Sequence, residues 1–395
     1  MKRRDFATLL ATASAAAHVP TWAQLTVQNT NRPADRILIL IELKGGNDGL
    51  NTVVPYADPA YYQLRNSLAL PKEDVLQLEA KAGLHPQLKP LAALWDKKEL
   101  AVVQGVGYPQ PNLSHFRSIE IWETASKSGE YLDEGWVTRG MKAGYAGSAG
   151  QSAFTAEGVL IGSGDFGPLA GARAVSLNNP EAFVNQARFA VTTAAQGNAA
   201  LQHLLRVEND VTQAAQGLRG EKFNFTTEFP AGAFGNGVRA AAQVVASQKG
   251  KAGVPVITLT LGSFDTHQNQ LPTHANLLRQ LAEGIVALKG ALTELSAWDR
   301  TLVMTFSEFG RRPRQNQSNG TDHGTAAPHF VAGGAVRGGW YGQAPDLSRL
   351  DSTQNLLHTT DFRQLYATVA RDWWGIKPET VVRGNFEPLG FLRTA

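Results

Sequence analysis

The sequence contains no cysteine. That excludes disulfides, thiolate metal sites and thiol nucleophiles together. It also lacks G-x-S-x-G and Walker patterns, so neither a nucleophile elbow nor a P-loop is present. It has little net charge once its start is set aside. In residues 1–23, Lys2, Arg3 and Arg4 carry three positive charges and Asp5 one negative, so the formal charge falls from +3 to +1 without them. The basicity therefore gives no sign of a nucleic-acid partner. Beyond the N-terminus, no stretch is long and apolar enough to span a bilayer.

The start itself, "MKRRDFATLLATASAAAHVPTWAQ", has a basic head, an apolar run of small residues and a small-residue site near Ala23. This is a signal-peptide pattern, and Arg3-Arg4 makes it the twin-arginine type. Residues 1–23 are expected to be removed by the twin-arginine export machinery, leaving a periplasmic or secreted protein with no membrane span. Without disulfides that product relies on its core, and its ~370 residues are enough to bury one.

Four short apolar runs read as buried strands: "RILILIEL" (36–43), "ELAVVQG" (99–105), "VPVITLTL" (254–261) and "TLVMTFSE" (301–308). Continuous rather than alternating apolar residues suit parallel strands covered on both faces. Residues 273–298 and 361–375 carry the three- and four-residue apolar spacing of helices. Strands alternating with helices predict an α/β fold, a mostly parallel sheet flanked by helices, over residues 24–395 as one domain. The Ala- and Gln-rich stretch 175–250 reads as a helical insertion or cap. "GSGDFG" (162–167) fits a dinucleotide pattern, but Pro168 and the following Gly-Ala run spoil the helix start that such a site needs. Trp122, Trp373 and Trp374 read as packing residues.

In open α/β sheets, sites form beyond the carboxyl ends of the strands. Those loops carry Asp48; Ser114 and His115; Asp265 and His267; and Glu308 and Arg311. Asp322, His323 and His329 follow in "GTDHGTAAPHF" (320–330), a stretch that fits no helix or strand pattern. Asp and neutral His are ligands for zinc, manganese or iron. Any one of these loops reads as turn chemistry. Their conjunction at one end of one sheet predicts a metal site.

The motifs "GGNDGLNTVVPYADPAYYQLR" (45–65), "SHFRSIEIWETA" (114–125), "GSFDTH" (262–267), "SEFGR" (307–311) and "TDHGTAAPHFVAGGAVRGGWYG" (321–342) carry a resemblance. Together they resemble an exported, mostly twin-arginine bacterial family of undefined function, grouped with the alkaline phosphatase and sulfatase superfamily. The resemblance covers nearly the whole mature chain. It implies an alkaline-phosphatase-like sandwich and a metal-dependent hydrolase of phosphate or related esters. One or two divalent ions are implied, whether zinc, manganese, iron, magnesium or calcium, and a small-molecule or polymer ester as substrate. By position, Asp48 matches a metal ligand on the first strand, and Ser114 the nucleophile. Asp265, His267 and His323 match a second metal position, and Glu308 stands where a paired Asp-His is usual. Phe309 replaces that second ligand, for which Asp322 or His329 are candidate substitutes. Ser114-His115-Phe116-Arg117 lacks the proline of a formylglycine site, so a formylglycine sulfatase is not expected. Arg311 or Arg117 would clamp substrate oxygens through a planar fork.

Three roles stay open in the sequence. Ser114 reads as a nucleophile or as a helix cap. His115 reads as a ligand, as support for one, or as a packed loop residue. His329 reads as an added ligand or as its support. The second reading of the whole chain is a non-catalytic periplasmic metal- or ligand-binding protein on the same scaffold.

Overall fold

The computed structural model describes residues 35–145, 154, 156–187, 210–218, 222–248 and 253–393. The proposed signal at 1–23 lies outside them.

The sheet grows from strands that are buried along their whole length. β1 (Ile37–Leu43) is buried at every position. Its Ile37, Ile39 and Ile41 enter one core, and Leu38 and Leu40 the other. That two-sided burial is the two-residue period of a strand acting on an all-apolar run. Full burial of each such side chain contributes about 1.5–3 kcal/mol. β2 (Val53–Val54), β3 (Leu76–Gln77) and β4 (Gly83–Leu84) make a separate small antiparallel sheet. The main sheet adds β5 (Leu100–Gly107), β6 (Gly158–Ile161), β7 (Ala174–Leu177), β8 (Val256–Leu261) and β9 (Thr301–Phe306). Its last members are β10 (Ala327–Ala332), β11 (Gly339–Tyr341) and β12 (Thr360–Asp361). The order is β11-β5-β10-β9-β1-β8-β6-β7, with β12 beside β5. Every pairing in it is parallel except those of β10 with β5 and β9. The chain is a mixed α/β fold with a mostly parallel central sheet.

Helices cover both faces. α1 (His115–Thr124) and α2 (Trp136–Tyr145) bring Trp122 and Trp136 to one face. α3 (Ala233–Ser247) and α4 (Gln270–Glu294) pack on the other. α4 stops where Ser296 takes a left-handed conformation (φ 54°). There Ala297 N–H returns to Leu292 O and Ser296 N–H to Thr293 O, closing the helix end. α5 (Phe362–Thr368) begins with a capping box between Asp361 and Gln364, and a π-turn over Val369–Trp373 follows. Trp122, Trp373 and Trp374 are all buried. Among the described residues, no helix is long and apolar enough to cross a membrane.

Two sequence expectations change. Residues 175–250, read as a helical insertion or cap, begin inside β7, and α3 within them flanks the sheet; 188–209, 219–221 and 249–250 lie outside the described residues. Its apolar face (Val238, Ala241, Val244, Val245) joins the core beneath β8 and β6. The 320–330 stretch runs into β10. Pro328 hides this strand in the sequence because it cannot donate to a ladder. The register shifts between Ala327 and His329, a bulge that accommodates the proline. "GSGDFG" follows β6 and leads into a 3₁₀ turn, Gly167–Leu169, so no α-helix starts there, as Pro168 foretells.

Candidate metal centre

The parallel strands β1, β5, β8 and β9 end at one edge of the sheet. The antiparallel strand β10 begins there. The loop after β8 holds Asp265 and His267, the helix after β5 starts with His115, and His323 precedes β10.

These side chains converge. One ligand atom from each of His115, Asp265 and His323 lies within 4.8 Å of the others. His323 Nε2 is 3.2 Å from Asp265 Oδ1, and His115 Nε2 is 3.5 Å from Asp265 Oδ2. His267 Nε2 stands 3.0 Å from Asp265 Oδ1 and 3.1 Å from His323 Nε2. Asp322, which is exposed, meets His267 Nδ1 at 3.4 Å through Oδ1.

Two of the imidazoles are held from behind. His323 Nδ1 donates to the Leu113 carbonyl at 2.8 Å. His115 Nδ1 donates to Glu308 Oε1 at 2.9 Å. A carbonyl and a carboxylate only accept, so both Nδ1 atoms carry a proton, and in the neutral imidazoles that a metal requires both Nε2 atoms present a lone pair. Those lone pairs face the Asp265 carboxylate. Outer partners of this kind orient histidine ligands in metal sites. Phe309 packs against both rings, with centroids 4.9 Å from His115 and 4.5 Å from His323.

The electrostatics agree. Burial pushes the Asp265 carboxyl up, but the hydrogen bond and charge of Arg311 outweigh it and hold the group below its ordinary value. Burial lowers the His323 pKa and so favours its neutral form. The cluster is open on one side: the Asp265 and His267 side chains are 43 % and 44 % exposed, and that of His323 23 %. A closed structural site would bury all its ligands, whereas a catalytic one keeps a position open. The donor set, with oriented imidazole lone pairs around one carboxylate, fits a divalent d-block cation.

Glu308 sits behind this cluster, not within it. It is buried, and its Oε1 also accepts from Gly45 N–H at 2.8 Å. Gly45 has φ +117°, and a Cβ there would lie 2.4 Å from Asp265 N, so glycine lets the end of β1 approach the ligand loop.

Four predicted residues are placed elsewhere. Asp48 is fully buried, and its two oxygens meet the Arg65 guanidinium at 2.6 and 2.9 Å. Burial pushes its pKa up, but the Arg65 charge prevails and brings it to about 2. Arg311 is buried and donates to Gly45 O, Gly46 O, Phe264 O, Thr321 O and Asp265 Oδ1. Its guanidinium braces Asp265 and has no face left for substrate. Arg117 lies along α1 and donates to the carbonyls of Lys127, Ser128 and Glu130, with Tyr131 stacked on it. His329 sits on β10 in the core, its ring 5.1 Å from that of Trp122. Ser114 is the exposed N-cap of α1, next to His115, and its side chain makes no capping bond. Sequence reasoning left His115 open and gave Arg65 no role. The signal for His115 was its place at a strand-end helix start, while nothing local marks Arg65.

Burial brings the pKa of His329 and His85 down to about 3 and that of His274 to about 4. The unfolded chain takes up these protons near pH 6.5 and the folded one does not. Stability is therefore full above about pH 6.5 and falls as pH drops toward 3. Thermal melts across this range should show that slope, and His329→Leu should flatten it while leaving metal content unchanged.

Residues 169–386 match the family described as "Protein of unknown function (DUF1501)". The chain belongs to this family. The matched span holds Asp265, His267, Glu308, Arg311, Asp322, His323 and His329, whereas Asp48, Ser114, His115 and Arg117 precede it. No curated protein matches the sequence. Among solved structures, the chain is similar to Ps i-CgsB in complex with k-i-k-neocarrahexaose, at 13 % identity and TM-score 0.42, covering 89 % of this chain and 75 % of that one. It is also similar to the C-terminal periplasmic domain of EcEptC from Escherichia coli in complex with Zn, at 12 % identity and TM-score 0.37, covering 78 % and 74 %. A third is the lipoteichoic acid synthase LtaP from Listeria monocytogenes, at 10 % identity and TM-score 0.34, covering 75 % and 65 %. Likenesses this distant transfer no residue roles.

Proposed function

We propose that the protein is an exported hydrolase of phosphate or related esters that works with one divalent cation held by Asp265, His323, His115 and His267. The observation that carries this reading is the pair of imidazoles, His115 and His323, whose Nδ1 protons are donated away and whose Nε2 atoms converge on one carboxylate. With both imidazoles neutral, their Nε2 lone pairs and the Asp265 anion repel one another, and a divalent cation among them turns the repulsion into ligation. Three imidazoles and a carboxylate favour zinc, manganese or iron over magnesium and calcium, which prefer oxygen ligands. One cation is the better count, because Arg65 already neutralises Asp48.

When bound, the cation supplies a Lewis acid for the ester oxygen and lowers the pKa of a hydroxyl or water beside it. The chain's own groups do the rest. Ser114 presents an uncapped hydroxyl at the N-terminus of α1, one residue from His115. The free N–H groups of that first turn favour an anionic oxygen. Ser114 Oγ displaces the alcohol of the ester, and water then releases the enzyme. Glu308 and the Leu113 carbonyl hold the imidazoles still. The twin-arginine signal supports a periplasmic or secreted location.

Ser114→Ala should bind metal as the wild type does and lose turnover of phosphomonoesters and diesters by roughly a thousandfold or more. Equal turnover would remove Ser114 from the mechanism. The second reading, a metal-binding protein without turnover, draws on Arg311 and Arg117. Arg311 is taken up by backbone carbonyls and Asp265, and Arg117 pairs with Glu120 and donates through Nη2 to three carbonyls, so both are engaged within the protein. Metal bound in equal measure by both proteins, with no ester in such a panel hydrolysed by either, would favour it.

A further inference from the structure

One fully buried amide joins the segments that carry the cluster. Gln270 opens α4 and is completely enclosed. Its Nε2 donates to Asp48 Oδ2 at 2.5 Å. Its Oε1 accepts from Thr266 Oγ1 at 3.0 Å and from Thr321 Oγ1 at 2.6 Å. The amide has one orientation, because the Asp48 carboxylate accepts only and so must face the NH₂ group. Both threonine hydroxyls then donate to the carbonyl end.

The positions of those threonines matter. Thr266 separates Asp265 from His267, and Thr321 lies two residues before His323. The two loops also share a backbone hydrogen bond, from Thr321 N–H to Thr266 O at 3.1 Å. Behind the amide, Arg65 clamps Asp48 and donates to Pro313 O and Arg312 O, at the start of the second loop. The turn after β1, the loop after β8 and the loop before β10 thus meet at one side chain. None of its atoms is among those of the cluster.

We propose that Gln270 is a positioning residue: it fixes the spacing of the Asp265–His267 loop against the His323 loop and thereby sets the cation affinity of the cluster. The affinity part rests on the function proposed above; the loop coupling stands on its own. Removing the acceptor leaves two buried hydroxyls free to seek other partners, and the loops shift with them. Ligand geometry tolerates little displacement, and losing an outer partner typically costs 10–100-fold in metal affinity.

The test uses the full mature chain with Gln270→Leu, Thr321→Val, the pair Thr266→Val/Thr321→Val, and the triple combination. Zinc affinity is measured by competition with a chelating dye, well below the melting temperature. Amide exchange at Thr321 is measured on the metal-free protein, with Met304 in β9 as reference. Gln270→Leu should weaken zinc binding about 10–100-fold. The triple variant should bind no more weakly than Gln270→Leu alone, because all act through the same hydrogen bonds. Exchange at Thr321 should accelerate while that at Met304 does not. A merely structural residue would lower the melting temperature without moving affinity or Thr321 selectively. Wild-type affinity and exchange in Gln270→Leu would overturn the proposal, as would simple additivity in the triple variant. Should Gln270→Leu not fold, Thr321→Val decides by the same two readouts. A wild type that binds no zinc would instead sink the proposed function, and the exchange data alone would then judge the coupling.

Discussion

Replacing His267 and His323 together by alanine should leave the protein folded and strip it of its cation. Both side chains are partly exposed. Neither contributes to the buried faces of β1 or β8, so their loss costs little core packing. Their Nε2 atoms, 3.1 Å apart, meet at the same Asp265 oxygen. Losing both leaves Asp265 and His115, too few protein ligands for a tetrahedral site. The fall in zinc affinity should exceed the ~10–100-fold typical of losing an outer partner. Elemental analysis of wild type and variant, with far-ultraviolet circular dichroism as the fold control, checks this. Equal metal in both would place the cation elsewhere.

The second large effect is on stability. Arg65→Met should destabilise the protein by about 3–5 kcal/mol, because it strands the fully buried Asp48 carboxylate without its partner. The Asp48 pKa of about 2 lies below its value near 3.9 in an unfolded chain. A group lowered on folding contributes stability above the unfolded value and loses it as pH falls through the folded one. In the wild type this contribution, about 2–3 kcal/mol, should disappear progressively between about pH 5 and pH 1. In Arg65→Met it should be absent, since the uncompensated carboxyl prefers its proton. Replacing both partners, Asp48→Leu with Arg65→Met, should recover part of the loss. Denaturant melts of the three proteins measure this. A loss below about 1 kcal/mol for Arg65→Met would mean that water or Gln270 compensates the carboxylate.

How far the sequence was legible follows from these residues. β1, β5, β8 and β9 were readable because full burial on two faces demands unbroken apolar runs. β6 and β7 have four residues each, too short for any period to register. β10 was masked by Pro328 and His329, which read as loop residues until a bulge and a core contact explain them.

The site divides in the same way. The strand-end rule brings Asp265, His267 and His323 to one place, because it depends only on where strands stop. It does not say which side chains are already engaged. Asp48 lies in the turn after a buried strand as a ligand would, yet a guanidinium 17 positions on occupies both its oxygens. Arg311 has the residue type of an anion clamp, yet its donors are consumed by the loops it ties together. His115 gains its orientation from Glu308, 193 positions away. Such pairings depend on the register of separate strands, which no local pattern encodes.

The most direct test is anomalous X-ray diffraction at the zinc edge from crystals of the mature protein grown with zinc. One strong peak is expected about 2.0–2.2 Å from an Asp265 oxygen and from Nε2 of His323, with His115 and His267 completing the ligand set. None is expected at Asp48. A peak bound by Asp48, or no peak at this end of the sheet, would overturn the metal centre.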